Sequence, residues 1–197
     1  MPPHGTKDRR VARTRQGLRD ALAALIAQKP YETIAVKEIL HRANVGRSTF
    51  YSHFRDKDDL LLDSLHALLA PAATAPGATA EQPAERLVAF SRPVLEILSR
   101  HRPTAGDDAH GGERWRVVHG HLQEALAARV AEGLSAEFRR AGRASAAAEV
   151  DLLARHVAAT FVLVVDWWVA RGRDLAPGDA DERFRALVLP ALAGALG

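Results

Sequence analysis

The chain has 197 residues, enough for one or two domains with a real core. It has no cysteine, which excludes disulfides, thiolate metal sites and a cysteine nucleophile. Residues 1–60 carry 12 Lys and Arg against 7 Asp and Glu, whereas the remainder of the chain is net −2, so a polyanion partner is expected for the head alone.

The first ten residues have no apolar stretch behind their charges, which predicts no signal peptide and a cytoplasmic protein. From 8 to 28, Val11, Leu18, Leu22, Leu25 and Ile26 form one helical face, and Pro30 stops the helix. A short helix follows over Val36–Arg42, with Ile39, Leu40 and Ala43 inward. Asn44 stands where a left-handed C-cap is expected, and Gly46 where the next helix needs an N-cap. A second short helix is predicted over Arg47–Phe54. Asp56 then caps a longer one, Lys57–Leu69, whose buried stripe is Leu60, Leu61, Leu65, Leu68 and Leu69.

Residues 71–83 read as a loop, rich in Ala, Pro, Thr and Gly. Helical patterns resume over 84–101, 113–134, 145–172 and 179–195, separated by a Gly-rich break at 102–112 and by Gly172 and Pro177-Gly178. The most apolar run, Val157–Val169, contains Asp166 and is too short to span a bilayer, so no membrane partner is expected. The fold class is all-α. An N-terminal three-helix, helix-turn-helix head (1–56) precedes a larger C-terminal helical body (57–197).

Two short helices joined by a tight turn cannot bury themselves and need a third to pack on, which the first helix supplies. In that arrangement the second short helix enters the DNA major groove. Phe50 and Phe54 are four residues apart and anchor it from one face. Arg47, Thr49, Tyr51, Ser52 and His53 remain outside that face as hydrogen-bonding side chains. Arg suits guanine, Thr and Ser reach base edges, and Tyr and His commonly hold phosphates. Lys57, at the start of the following helix, is placed to share a phosphate with the helix N-terminus.

The run from Tyr31 to Ile39, followed by Ala43-Asn44-Val45-Gly46-Arg47-Ser48-Thr49-Phe50-Tyr51-Ser52-His53-Phe54-Arg55-Asp56-Lys57-Asp58-Asp59-Leu60, resembles the DNA-binding signature of TetR-type regulators. The resemblance implies phosphate contacts at Tyr51, Lys57 and His53, and base or backbone contacts at Arg47, Ser48, Thr49 and Ser52. Three positions depart from the family pattern. Ala35 stands where Ser or Thr usually caps the second helix and touches phosphate, a role Thr33 is expected to take. Asn44 replaces the turn glycine, and Gly46 replaces a capping serine.

The resemblance also implies a dimer on double-stranded operator DNA, built by the last two helices as a four-helix bundle, and an effector bound within the body. Val150, Leu153, Val157, Phe161, Val164 and Trp168 recur at helical spacing, with Leu152, Ala159, Leu163 and Trp167 on other faces. A helix this apolar needs cover on more than one side, from its own core and from a partner subunit. Val157, Phe161, Val164, Trp168, Leu189 and Leu192 are the expected dimer residues. A small apolar or amphipathic effector is expected against Phe90, Val94, Trp115, His119, His156, Thr160 and Trp167, the alternative being ordinary core.

An enzyme is not expected. His101, His110, His119 and His121 are the densest histidine cluster, but His119 and His121 face different directions on a helix. The sequence has no His-Glu-x-x-His, Gly-x-Ser-x-Gly or phosphate-cradling glycine loop, so no metal and no cofactor are expected. Two other readings compete with a ligand-responsive repressor: a DNA-binding regulator without a small-molecule switch, and an orphan helical binding module.

Overall fold

Four of the ten prolines sit at turns or within the first turn of a helix, where the missing N–H is tolerated. Pro30 precedes a short 3-10 turn, Tyr31–Thr33. Pro83 and Pro177 open helices at their first position. Pro93 is the third residue of another. The computed structural model describes residues 4–69, 81–99, 111–143, 146–171 and 174–197. Among these there is no strand. The helices are α1 (His4–Ile26), α2 (Val36–Ala43), α3 (Arg47–Tyr51), α4 (Lys57–Leu69), α5 (Pro83–Val88), α6 (Ser91–Ser99), α7 (Gly111–Arg140), α8 (Ala147–Arg171) and α9 (Pro177–Leu196).

Two compact units divide the chain. The first holds residues up to Ser64 with the start of α7 through Val118, and the second holds residues from Leu65 with α7 from His119 onward. In the first, Leu18 and Leu22 of α1, Ile39 of α2, Phe50 of α3 and Leu60 of α4 are fully buried together with Ile34. Arg15 and Arg19 of α1 both pair with Asp63 of α4, at 2.6 and 2.7 Å. In the second, α9 packs on α5, α6 and α8. Its centre is an aromatic trio: Phe90 lies 5.3 Å from Phe161 and 6.0 Å from Phe184, and the latter two are 5.2 Å apart. Edge-to-face packing of this kind favours the ring quadrupoles. The trio is tied to a buried polar string in which the Ser91 hydroxyl donates to Asp181, and Arg185 bridges Asp181 (3.0 Å) and Glu85.

Several boundaries differ from those the sequence predicts. The helix expected over 84–101 is two helices, because Pro93 has no N–H to donate to the Ala89 carbonyl four residues back and its ring crowds that oxygen. The helix expected over 113–134 runs on to Arg140 and ends at Gly142 (φ 66°), where Arg143 N–H bonds Phe138 O and Gly142 N–H bonds Arg139 O. The second short helix closes at Tyr51 rather than Phe54. Most of the predicted 71–83 loop and the 102–112 break lie outside the described residues.

Candidate nucleic-acid interface

The turn between α2 and α3 is closed by backbone geometry. Asn44 is left-handed (φ 52°, ψ 48°), as expected of it. Its N–H bonds His41 O at 3.2 Å and the Val45 N–H bonds Leu40 O at 3.0 Å, the paired bonds of a Schellman motif. An asparagine holds this conformation at less cost than most residues, so the missing turn glycine leaves the turn intact. Gly46 then caps α3 without a side chain.

Ala35 has no side-chain oxygen, and α2 is capped from inside instead. The Glu38 carboxylate accepts the Ala35 N–H at 2.9 Å and is held by Lys29 at 2.7 Å. These two donors, Lys29 foremost, keep its carboxyl below the usual glutamate value. Thr33 was the expected substitute cap; its hydroxyl donates instead to Pro30 O at 2.8 Å, inside its own turn. The signal for Glu38 was present in the sequence, since a Glu three residues after an N-cap position is half of a capping box.

Phe50 and Phe54 are both buried, with ring centroids 5.9 Å apart. They fix α3 and leave Arg47, Ser48, Thr49, Tyr51 and Ser52 exposed and His53 half-buried. Tyr51 is 49% exposed, packs edge-on against Phe50 at 5.3 Å, and carries the Arg47 guanidinium 5.7 Å over its ring. The Ser52 hydroxyl donates to Thr49 O at 2.7 Å. The stretch Arg47–His53 therefore presents hydrogen-bonding groups around a rigid aromatic anchor. Thr33 is exposed on the preceding turn. Asp56 caps α4 as expected, its carboxylate accepting the Asp59 N–H at 2.8 Å.

Lys57 is engaged within the protein. Its ammonium donates to Tyr31 O at 3.0 Å and to Glu32 O and Ile34 O at 3.2 Å each, and lies 4.5 Å over the Tyr31 ring. The Tyr31 hydroxyl donates to Asp58, the next residue.

In the second unit the expected dimer stripe turns inward. Val157, Phe161, Val164, Trp168 and Leu192 are buried in the subunit's own core, and Leu189 is half-buried. The Trp168 indole N–H donates to Leu175 O at 3.0 Å. The stripe read from the sequence as the dimer face is the side of α8 that faces the subunit's own core; both faces are apolar in sequence, so periodicity alone does not distinguish them. The outward residues are Leu152 (72% exposed), Leu163 (64%) and, on α9, Leu187 (56%).

The expected effector residues differ in their surroundings. Phe90 and Val94 are closed into the core, with Phe90 in the aromatic trio. His156 lies exposed on α8, Thr160 is half-buried, and Trp167 is half-buried under the Arg183 guanidinium at 5.3 Å. His119 is mostly buried, its Nε2 3.2 Å from the Asp166 carboxylate. Burial holds its imidazole below the ordinary value, and Asp166 opposes that. The Trp115 side chain, His101 and His110 lie outside the described residues.

Fold and site together define a helix-turn-helix protein with a helical body. Residues 18–63 match the family model of the bacterial regulatory proteins, tetR family. The HTH-type transcriptional regulator YxbF of Bacillus subtilis is 30% identical over 106 residues, 47% of this chain and 28% of that protein. The transcriptional regulator AcuR of Cereibacter sphaeroides is 34% identical over 105 residues, 50% of this chain and 46% of that protein. The chain thus spans less than half the length of these curated relatives. A TetR-family structure from Syntrophomonas wolfei superposes with a TM-score of 0.60 at 18% identity, covering 91% of this chain and 94% of that one. The Thermus thermophilus FadR repressor, in complex with lauroyl-CoA, does so with a TM-score of 0.54 at 22% identity, covering 89% and 93%. Residues 18–63 are thus similar to the DNA-binding module of tetR-family regulatory proteins, and the helical fold as a whole is one that solved TetR-type structures share.

Proposed function

We propose that the chain is a homodimeric, ligand-responsive repressor that binds a near-palindromic operator, with residues 1–56 as the DNA-binding head and 57–197 as the effector-binding and dimerisation body. The observation that carries the reading is the exposed face of α3 set on the buried Phe50–Phe54 anchor. Arg47, Ser48, Thr49 and Ser52 contact base edges or nearby backbone, while Tyr51, His53 and Thr33 hold phosphates and fix the register. A two-fold dimer brings two copies of α3 to half-sites about one helical turn of DNA apart or more.

The dimer face is the outward side of α8 and α9. Leu152 and Leu163, with exposed Ala159 between them, are spaced at seven and four residues on one helical face, and exposed Leu187, Ala191 and Gly194, spaced at four and three, share one face of α9. An apolar stripe with small residues suits close helix packing against an identical copy. The effector is a small apolar or amphipathic molecule, by analogy with the lauroyl-CoA bound by FadR. His119 and Asp166 are the polar pair placed to recognise its polar group. The effector lowers operator affinity by favouring a body geometry in which the two heads no longer match the half-sites.

Fluorescence anisotropy on DNA from the chain's own upstream region, against a scrambled duplex at several salt concentrations, tests the reading. Tight, sequence-preferring binding that weakens steeply with salt is expected. Arg47→Ala should relax preference at one base position by about 1–3 kcal/mol, whereas Tyr51→Phe should weaken binding to all sequences alike. A chain that enriches no sequence from random DNA, and binds all duplexes weakly, would overturn it.

A further inference from the structure

Arg47 opens α3 and Tyr51 closes it four residues on, so the two side chains share one side of the helix. Helical side chains lean toward the N-terminus, which carries the Tyr51 ring back toward Arg47. The Arg47 guanidinium lies 5.7 Å over that ring, within reach of a cation–π contact. Tyr51 is itself held, because its ring packs edge-on against Phe50, and Phe50 is fully buried. Support therefore runs from the core, through Phe50 and Tyr51, to a charged group at the exposed surface.

The guanidinium is held by its face alone. Among the described residues no carboxylate pairs with Arg47, whereas Arg15 and Arg19 are both bound to Asp63. The N–H edge of Arg47 is left open, and that edge is the part that pairs bidentately with guanine. A stack on the face and a pair at the edge are compatible, because the group is planar and weakly hydrated. An unsupported arginine loses much of its rotamer freedom when it is ordered on a base. A ring that already holds the face reduces that loss at the moment of binding.

We propose that the Tyr51 ring is a positioning platform for Arg47, so that Tyr51 sets the base preference at the position Arg47 reads. This role belongs to the ring and is separate from the phosphate contact of its hydroxyl. It rests on the DNA-binding reading above.

Two experiments test it. The first needs no DNA and reads the free full chain by NMR, with arginine labelled in its side chain. Protons above an aromatic face are shifted upfield by the ring current. The Arg47 δ-methylene, assigned by its loss in Arg47→Ala, should be upfield in the parent and in Tyr51→Phe, and ordinary in Tyr51→Leu. An ordinary position in the parent, or one that Tyr51→Leu leaves unmoved, would overturn the proposal. Tyr51 is 49% exposed, so neither substitution removes a core side chain.

The second uses a duplex that the parent enriches from random DNA, and the same duplex altered at the base whose identity ceases to matter in Arg47→Ala. Tyr51→Phe should weaken binding to both duplexes alike and keep the parent's preference between them. Tyr51→Leu should lower that preference on the order of tenfold, the scale of a cation–π contact away from water. In the Arg47→Ala background, Tyr51→Leu should change the preference no further. A Tyr51→Leu variant that keeps the preference, or lowers it equally with and without Arg47, would sink the platform. So would an Arg47→Ala variant that relaxes no base position and only reduces the salt slope by about 0.9, the mark of a phosphate ligand. If the parent enriches no sequence, the DNA-binding reading fails, and the NMR shift of the free chain alone decides whether the ring holds the guanidinium.

Discussion

His119 is subject to two opposing influences. Burial disfavours its charged form, the nearby Asp166 carboxylate favours it, and burial is the larger. The folded chain therefore resists protonating this imidazole while the unfolded chain takes the proton at the ordinary value of 6.5. The unfolded state then binds more protons, so stability is complete above that value and falls as pH drops below it. Burial also raises Asp166, which acts in the opposite sense, so the interval below pH 6.5 reports His119 only by comparison with a variant that lacks it. Urea unfolding should show a midpoint that falls across that interval in the parent chain and is flatter in His119→Gln. Equal pH profiles would mean that His119 is solvated. Residues whose role is set by local chemistry were legible in the sequence: Asn44 as a left-handed cap, Asp56 as an N-cap, Phe50 and Phe54 as anchors. The intramolecular contacts of Lys57 were not, because its partners are carbonyls 23–26 residues away in the chain.

At the scale of elements, α2 starts with a weak point. Ala35 has an extended backbone (φ −91°, ψ 145°) suited to an N-cap but no side chain to serve as one. Ala35→Ser keeps the Glu38 bond to its own N–H and adds an oxygen for the free N–H groups of the first turn. It should stabilise the head by about 1 kcal/mol, read as a higher unfolding midpoint. An unchanged midpoint would mean that Glu38 and Lys29 already satisfy this end. Helix positions were legible from apolar periodicity, and most starts from caps. The break at 89–90 was hidden, because Pro93 acts four residues upstream of itself. The extension of α7 to Arg140 was hidden too, since Leu134, Glu137 and Phe138 continue the buried stripe without an interruption to read.

At the scale of the molecule, the question is which surface an identical partner covers. Leu163 is 64% exposed, so Leu163→Glu costs the isolated subunit little and places a charge in the proposed dimer seam. The variant should sediment as a monomer with a nearly unchanged unfolding midpoint, and should lose most operator affinity because one α3 cannot span two half-sites. A variant that remains dimeric would place the interface elsewhere. The all-α class and the head were legible because a short, dense motif carries them. The body's inward face was not, because Phe161 and Leu163 are equally apolar in sequence and only their packing against Phe90 and Phe184 distinguishes them.

The neighbours Trp167 and Trp168 give α8 a built-in optical reporter. Trp168 is sealed in the core with its indole N–H bonded to Leu175 O, whereas Trp167 lies half-open beneath Arg183. Two adjacent indoles thus emit from unlike surroundings, one blue-shifted and closed to iodide, the other quenchable and close to the outward stripe. With Trp115 replaced by Phe, intrinsic fluorescence would separate events at the helix surface from loosening of the interior without any attached dye.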